Sequence, residues 1–200
     1  MRRQIGQRAF TIIELIVVVA IAAVVLSLAA PSFKDMIDMQ RLRGTHDQLV
    51  TDLQFARSEA ARLGIPVNMH VQPGNSTVGA CYTIFSDTTL LKQSWTAPCD
   101  CRAAPGSRCS TAVTSEIKTV QLNPAHRIQF QHGPADARVG YSPITGGIIV
   151  ETSDLYIVNP VPFIVSSHLD TARTLRTIVE LSGRPSTCAP TGSNIRLPAC

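Results

Sequence analysis

An apolar segment near the N-terminus, residues 10–30, constrains this 200-residue chain more than any other feature. It reads FTIIELIVVVAIAAVVLSLAA and carries one charged residue, Glu14. About 20 apolar residues are enough for a helix to cross a bilayer. Because Arg2, Arg3 and Arg8 precede the segment, the chain is predicted to keep its N-terminus in the cytoplasm and to export the remainder. A carboxylate inside such a segment is costly, which predicts a function and a cationic partner for Glu14.

The basic leader and the start of the apolar segment together resemble a known export signal. MRRQIGQRA followed by FTIIEL resembles the class III signal of type IV pilins and type II secretion pseudopilins. The resemblance implies that a prepilin peptidase cleaves between Ala9 and Phe10 and methylates the new amino group. It makes Glu14 the glutamate at the fifth position of the mature chain. The family usually has glycine before the cleavage site, where this chain has Ala9.

The cation expected to pair with Glu14 is the N-terminus that cleavage exposes on a neighbouring subunit. Such a pair would set the register between packed helices of an assembly. Two alternatives for the apolar segment stay open. An ordinary secretory signal peptide would be cleaved near residues 27–30 and lost, whereas a plain single-span anchor would carry Glu14 incidentally.

One long helix is predicted from residue 11 to residue 63, half of it in the membrane and half packed on a globular domain. Pro31 is expected to kink it. Beyond that point apolar residues recur at helical spacing, namely Phe33, Met36, Ile37, Leu49, Leu53, Ala56, Ala60 and Leu63. Gly64 and Pro66 then end the helix.

The end of the predicted helix narrows the resemblance. Residues 52–69, DLQFARSEAARLGIPVNM, resemble the helix end and first strand of the GspH/FimT branch of pilin-like proteins. Members of that branch commonly show an ARSEA motif, then Gly, any residue, Pro and a strand. The match identifies the branch and not a function within it. Its charged residues Arg57, Glu59 and Arg62 are interpreted as a solvated helix face with weak ion pairs.

The chain beyond Pro66 is rich in β-branched and aromatic residues separated by turn-forming clusters, which predicts strands. They are predicted at residues 67–72, 81–86, 117–122, 127–131, 147–152, 155–158, 162–167 and 173–181. Because strands follow a helix and do not alternate with helices, the fold class is α+β with antiparallel sheets. The resemblance implies the same type IV pilin-like architecture. The predicted parts are a leader (1–9), an apolar helix (10–30), an amphipathic helix (31–64) and a β-rich domain (65–200).

The six cysteines all lie beyond the apolar segment: Cys81, Cys99, Cys101, Cys109, Cys188 and Cys200. An even number in an exported domain predicts disulfides. A metal site is the alternative. However, Cys99 and Cys101 are separated by a single residue, and no second pair of ligands follows them as is typical of zinc sites. The favoured bond is Cys188–Cys200, and the other four cysteines are expected to staple residues 81–109. Residues 97–114 are accordingly interpreted as a disulfide-pinned loop.

The net charge gives little indication of a nucleic-acid partner. Three of the 18 Lys and Arg residues lie in the leader, which leaves 15 against 14 Asp and Glu residues. A local candidate surface is offered by four tail arginines, which could bind phosphates: Arg173, Arg176, Arg184 and Arg196. Arg184 and Arg196 are expected in a loop that the Cys188–Cys200 bond closes.

The tail also resembles part of a FimT motif. Some FimT proteins carry Gly-Arg-x-Arg here, linked to DNA capture during natural transformation, whereas this chain has Gly183-Arg184-Pro185-Ser186. No aromatic residue accompanies the arginines as a stacking platform. The alternative is that Arg184 is a turn residue or a solvated charge.

No catalytic or cofactor-binding motif is recognisable, so the chain is interpreted as a non-enzyme without cofactor or metal. The resemblance implies a minor pilin or pseudopilin that primes or caps a type IV pilus or a type II secretion pseudopilus. It would lie in the bacterial inner membrane with its C-terminal domain in the periplasm. The expected partners are other major and minor pilins or pseudopilins, prepilin peptidase and the inner membrane. The alternative function is DNA uptake through the tail arginines, with DNA as a further partner.

Overall fold

The first element of the fold is a single long helix, α1 (Ile12–Leu63), as predicted. The computed structural model describes residues 11–75, 77–88, 99–133, 138–149 and 162–200, without the side chains of residues 28–32. Thr11 precedes the first turn, and its Oγ1 accepts a hydrogen bond from the backbone N–H of Glu14 at 3.4 Å. Gly64, with a φ of 69°, ends the helix in the left-handed conformation that favours glycine.

Two compact units divide the chain, Met1–Gln40 and Arg41–Cys200. In the first unit the side chains of residues 11–27 are exposed on every side of the helix. Among the residues that the structure describes, no helix combines the length and the apolarity that crossing a membrane requires.

Eight strands follow the helix in the described residues: β1 (Val67–Gln72), β2 (Cys81–Asp87), β3 (Thr114–Gln121), β4 (Gln129–His132), β5 (Arg138–Tyr141), β6 (Phe163–His168), β7 (Thr174–Val179) and β8 (Pro185–Cys188). A short 3-10 helix, Pro124–His126, lies between β3 and β4. One sheet has the order β3-β2-β1-β5 and the other β4-β6-β7-β8. All pairings within the two sheets are antiparallel, which confirms the predicted α+β class.

The predicted strands agree with this topology in six of eight places, and β1 has the predicted bounds. The prediction of a strand at 147–152 is wrong for residues 147–149, where Ile148 forms only an isolated bridge to Tyr141. The rest of that strand and the one predicted at 155–158 lie outside the described residues. Two strands, β5 and β8, were not predicted. Both have four residues, and β8 begins with a proline, so neither has a strong local strand signal.

The core lies between the C-terminal half of α1 and the inner faces of both sheets. Leu49, Leu53, Ala56 and Ala60 are fully buried in it, as the helical spacing predicted. The prediction is wrong for Phe33, Met36 and Leu63, which are exposed. Strand residues complete the cluster, among them Met69, Tyr82, Ile84, Phe130, Tyr141, Phe163 and Val179. Burying such side chains contributes roughly 1.5–3 kcal/mol each, so this packing accounts for most of the helix's attachment within the second unit.

Three disulfides join all six cysteines: Cys81–Cys101, Cys99–Cys109 and Cys188–Cys200. The favoured Cys188–Cys200 bond is among them. The other two tie residues 99–109 to β2 and close that segment on itself. Because every thiol is oxidised, these cysteines cannot serve as thiolate ligands of a metal.

Candidate assembly helix and tail surfaces

Glu14 occupies the first turn of α1, where its side chain is exposed. Thr11 and Glu14 have the Thr-x-x-Glu spacing of a helix capping box, with the threonine hydroxyl bonded to the third residue's N–H. A carboxylate at this end also interacts favourably with the helix dipole. The predicted processing residues Ala9 and Phe10 lie outside the described residues.

The helix around Glu14 presents apolar side chains in all directions. Between Ile12 and Leu26 the large aliphatic residues are 49% to 80% exposed. A helix that is apolar on every face is ordinarily buried, either in a membrane or among other helices. Such a surface favours burial in a membrane or against other helices.

Two of the four tail arginines lie near the start of β7: Arg173 directly precedes the strand and Arg176 is its third residue. The guanidinium of Arg173 binds the carboxylate of Asp170, with Nε and Nη2 at 2.8 and 2.6 Å from Oδ2. Arg176 is half-buried, and its Nε donates to Ser166 Oγ at 3.4 Å on the neighbouring strand β6. Both guanidinium groups thus already have partners, Asp170 in the β6–β7 turn and Ser166 on β6.

Arg184 lies in the turn between β7 and β8, outside the segment that the Cys188–Cys200 bond closes, so the prediction that this loop holds it is wrong. β8 lies between Arg184 and the disulfide-closed segment, because residues 185–188 pair with β7. Arg184 stands opposite the exposed acid Glu180, and the Glu180 N–H donates to the Arg184 carbonyl at 3.3 Å. From the strand register, about 13 Å separate it from Arg176 along the hairpin.

Arg196 lies within the disulfide-closed tail, as predicted, and faces a cleft next to α1. The cleft has a volume of about 370 Å³ and is lined by Arg43, His46, Asp47, Leu175, Thr187, Ile195, Arg196 and Leu197. Thr187 and its strand partner Thr177 point to the helix side of the sheet, whereas Arg176 points to the opposite face. The four tail arginines therefore do not form one surface.

His46 forms the buried wall of this cleft and connects α1 to three strands. Its side chain is 1% exposed. Nδ1 lies 3.1 Å from Ser167 Oγ on β6, and Nε2 lies 3.0 Å from Thr177 Oγ1 on β7 and 3.4 Å from Thr187 Oγ1 on β8. Burial lowers the pKa of His46 to about 4, against a smaller opposing effect of Asp47, so the imidazole is neutral at pH 7.

Arg57, from the ARSEA motif, is not part of a solvated face, so that interpretation is wrong for this residue. Its side chain is half-buried, and Nε donates to the Gly146 carbonyl oxygen at 2.8 Å. The β7–β8 turn lies directly beside it, since a Cβ on Gly183 would lie 3.4 Å from Arg57 Nε. Glu59 and Arg62 instead form the weak ion pair that was predicted, with Nε 2.9 Å from Oε1 on the helix exterior.

Asp52 supplies a second buried polar connection, between α1 and the first sheet. It is 3% exposed. Tyr82 Oη donates to its Oδ2 at 2.7 Å, and Lys118 Nζ donates to its Oδ1 at 2.6 Å. Together, His46, Asp52 and Arg57 fix the helix to both sheets and to the tail hairpin.

His46, Asp52 and Arg57 lie in a segment that matches a known protein family. The sequence profile of the family described as type II transport protein GspH matches residues 45–183. The chain belongs to the GspH family. A second profile, the prokaryotic N-terminal methylation motif, matches residues 5–30 of this GspH-family protein, which includes Ala9, Phe10 and Glu14.

Solved structures of a minor pilin are similar to this GspH-family protein. Two crystal structures of type IV minor pilin FimU from Pseudomonas aeruginosa, in space groups P65 and P21, match with 13% and 15% identity. Their TM-scores are 0.46 and 0.47, and the matches cover 74% of this chain and 92% and 87% of the FimU chains. No match was found among curated proteins.

The sequence interpretation overlooked three residues that position the tail and the helix, namely His46, Asp52 and Arg57. Their partners lie far away in the chain: Arg57 and Gly146 are 89 residues apart, and His46 and Thr177 are 131 residues apart. A polar residue beside a predicted core position was the available signal. His46 is three residues before Leu49, Asp52 adjoins Leu53, and Arg57 adjoins Ala56.

Proposed function

We propose that this GspH-family protein is a minor pilin or pseudopilin that helps to prime or cap a type IV pilus or a type II secretion pseudopilus. One observation carries the proposal: a methylation motif at residues 5–30 is followed in the same chain by the GspH domain at 45–183. The exposed apolar surface of α1 between Ile12 and Leu26 supports it, because helix packing in a filament or insertion in a membrane would bury that surface.

In this proposal, prepilin peptidase cleaves between Ala9 and Phe10 and methylates the new amino group. Residues 10–30 hold the unassembled subunit in the inner membrane, with the N-terminus in the cytoplasm and the β-rich domain in the periplasm. The new N-terminus of a neighbouring subunit then pairs with Glu14, which neutralises a carboxylate in an apolar environment and fixes the axial register. The partners are therefore other pilins or pseudopilins.

The priming role is tested by deleting the gene and counting surface filaments per cell. We expect far fewer filaments in the deletion strain, wild-type numbers on complementation with the full chain, and no recovery with a Glu14→Ala chain. Mass spectrometry of the purified protein should find a methylated Phe10 at the N-terminus. Unchanged filament numbers together with unchanged secretion would refute a priming role in either machine.

DNA capture is a second candidate, favoured by one observation. Arg196 and Arg43 face the same cleft, and both side chains are exposed. The test is a salt titration of DNA binding by the full chain in detergent, with Arg196→Ala, Arg43→Ala and Arg184→Ala variants. Binding that weakens with salt and drops in the first two variants would support it, and absence of binding at low salt would exclude it.

A further inference from the structure

The cleft between α1 and the disulfide-closed tail contains charges that have no ion-pair partner among the residues that the structure describes. Arg43 lies on α1 and Arg196 in the tail, and both are exposed. Within the described part of the chain neither guanidinium forms an ion pair. Other arginines do form one: Arg173 pairs with Asp170, and Arg108 pairs with Glu116. Asp47, on the same helix face, is the one acidic residue among the described residues of the lining. One positive charge therefore remains uncompensated in the cleft.

The rest of the lining is mainly apolar and is fixed in place. Leu175, Ile195 and Leu197 line the cleft; Leu197 is 42% exposed and supplies most of the apolar surface, whereas Leu175 and Ile195 are buried behind it. The tail that carries two of them is closed by the Cys188–Cys200 bond. It is also pinned to the segment around the start of β7, because the Asn194 N–H donates to the Ala172 carbonyl at 2.7 Å and Ser193 Oγ donates to the Thr174 carbonyl at 2.7 Å.

His46 contributes no charge to the cleft. Its two ring nitrogens are occupied by hydroxyl groups of Ser167, Thr177 and Thr187, and its lowered pKa keeps it neutral at pH 7. A ligand that enters the cleft therefore meets two guanidinium groups, one carboxylate and an apolar wall. These groups complement a ligand that carries one carboxylate next to an apolar side chain.

We propose that this cleft is a docking site for an acidic and apolar segment of a neighbouring pilin subunit, in which an Asp or Glu side chain binds between Arg43 and Arg196. This inference rests on the proposed function, since it names a contact within the same assembly. A duplex nucleic acid fits less well, because its phosphate backbone has no apolar group to pack against the apolar wall. The cleft of about 370 Å³ has room for a few side chains only. Its pinned tail lowers the entropy lost on docking.

The test places a photo-crosslinking residue at position 197 of the full chain in cells that assemble filaments. We expect an adduct whose crosslinked peptide comes from another pilin subunit and carries an Asp or Glu beside the crosslink. The double variant Arg43→Glu with Arg196→Glu should lower the adduct yield at least about fivefold, whereas Arg43→Lys with Arg196→Lys should largely preserve it. The same probe at Val113, which is 38% exposed, is the matched control and should give no such adduct.

The outcomes separate this inference from the proposed function. Absence of an adduct at position 197, an adduct insensitive to charge reversal, or an adduct with nucleic acid would overturn the docking site. If the chain still matures and enters filaments in that case, the proposed function stands without the docking site. If the wild-type chain neither loses its leader nor enters filaments, the proposed function itself fails. Thermal unfolding of both charge variants confirms that the fold is retained.

Discussion

The Nε–H of Arg57 donates a hydrogen bond to the carbonyl oxygen of Gly146 at 2.8 Å. This contact joins the C-terminal half of α1 to the loop after β5, and that loop packs on the β7–β8 turn at Gly183. The ARSEA motif thereby positions the Gly183-Arg184 turn of the tail. Arg57, which the helical pattern assigns to solvent, thus connects the helix to the Gly183-Arg184 turn near the end of the sequence.

Replacement of Arg57 by alanine should lower the free energy of unfolding by about 1.5–3 kcal/mol, because a half-buried carbonyl loses a charged hydrogen-bond donor. Arg62→Ala is the matched control on the same helix, since the Arg62 side chain is 66% exposed and its i,i+3 ion pair is weak, and a change of about 0.5 kcal/mol or less is expected. Chemical denaturation of both full-length variants in detergent checks this. Equal effects of the two substitutions would show that Arg57 does not hold the loop.

Gly183→Ala should destabilise the protein by more than about 1 kcal/mol for two reasons. The residue has a φ of 76°, and an added Cβ would lie 2.1 Å from the Gly146 carbonyl oxygen. The control is Gly44→Ala in the middle of α1, where an added Cβ meets nothing within 4 Å, and which should stabilise by up to about 1 kcal/mol. The two substitutions should shift the unfolding midpoint in opposite directions. An unchanged midpoint in Gly183→Ala would contradict the close packing of the two turns.

The stability of the protein should fall as the pH decreases from about 6.5 towards about 4. The pKa of His46 is about 4 in the folded chain and near 6.5 when unfolded, so the unfolded state binds the proton more readily across this window. The linked loss of stability amounts to about 3 kcal/mol below pH 4. Burial also lowers the pKa of His168, against a smaller effect of Asp170, and this adds a loss of the same sign.

His46→Gln should reduce this pH dependence without removing it, since His168 remains. The measurement is the thermal unfolding midpoint of both proteins at about pH 7 and about pH 4.5. His168→Gln serves as the comparison and should retain most of the slope. An unchanged slope in His46→Gln would mean that the imidazole is not held neutral among its three hydroxyl partners.

Removal of the tail disulfide by Cys188→Ser with Cys200→Ser should cost about 3 kcal/mol, the chain-entropy value for a loop of this size. Because the bond closes the tail beside β8, hydrogen exchange should speed up in residues 189–200 and much less in β1. Hydrogen exchange with mass spectrometry on oxidised protein checks the distribution. Uniform loosening of both sheets would indicate that the tail bond supports the whole domain.

The helix and the two-sheet class could be predicted because their signals are local. The spacing of Leu49, Leu53, Ala56 and Ala60 indicates which face of α1 is buried, and Gly64 with Pro66 marks its end. β8 could not be predicted, since Pro185 and three short residues acquire strand structure only by pairing with β7. Arg184 precedes Cys188 and lies in the turn before β8, so the Cys188–Cys200 bond does not enclose it.

The candidate surfaces depended on contacts that no local pattern specifies. Six cysteines allow many pairings; the favoured tail bond Cys188–Cys200 is confirmed, whereas the pairing of the other four was left open by the sequence. The distribution of the four tail arginines depends on strand register, which places Arg176 and Arg196 on opposite sides of one sheet. His46 could not be chosen from five scattered histidines, because its three hydroxyl partners come from strands that follow much later.

The most direct test of the proposed assembly role is the amount of the chain in sheared filaments, compared between wild type and Glu14→Ala by quantitative immunoblot. Both chains should be cleaved before Phe10, as checked by mass spectrometry. The wild-type chain should appear in the filament fraction, and Glu14→Ala should remain with the membrane because it cannot neutralise a neighbour's N-terminus. Equal amounts of both chains in the filament fraction would contradict the assembly role of Glu14.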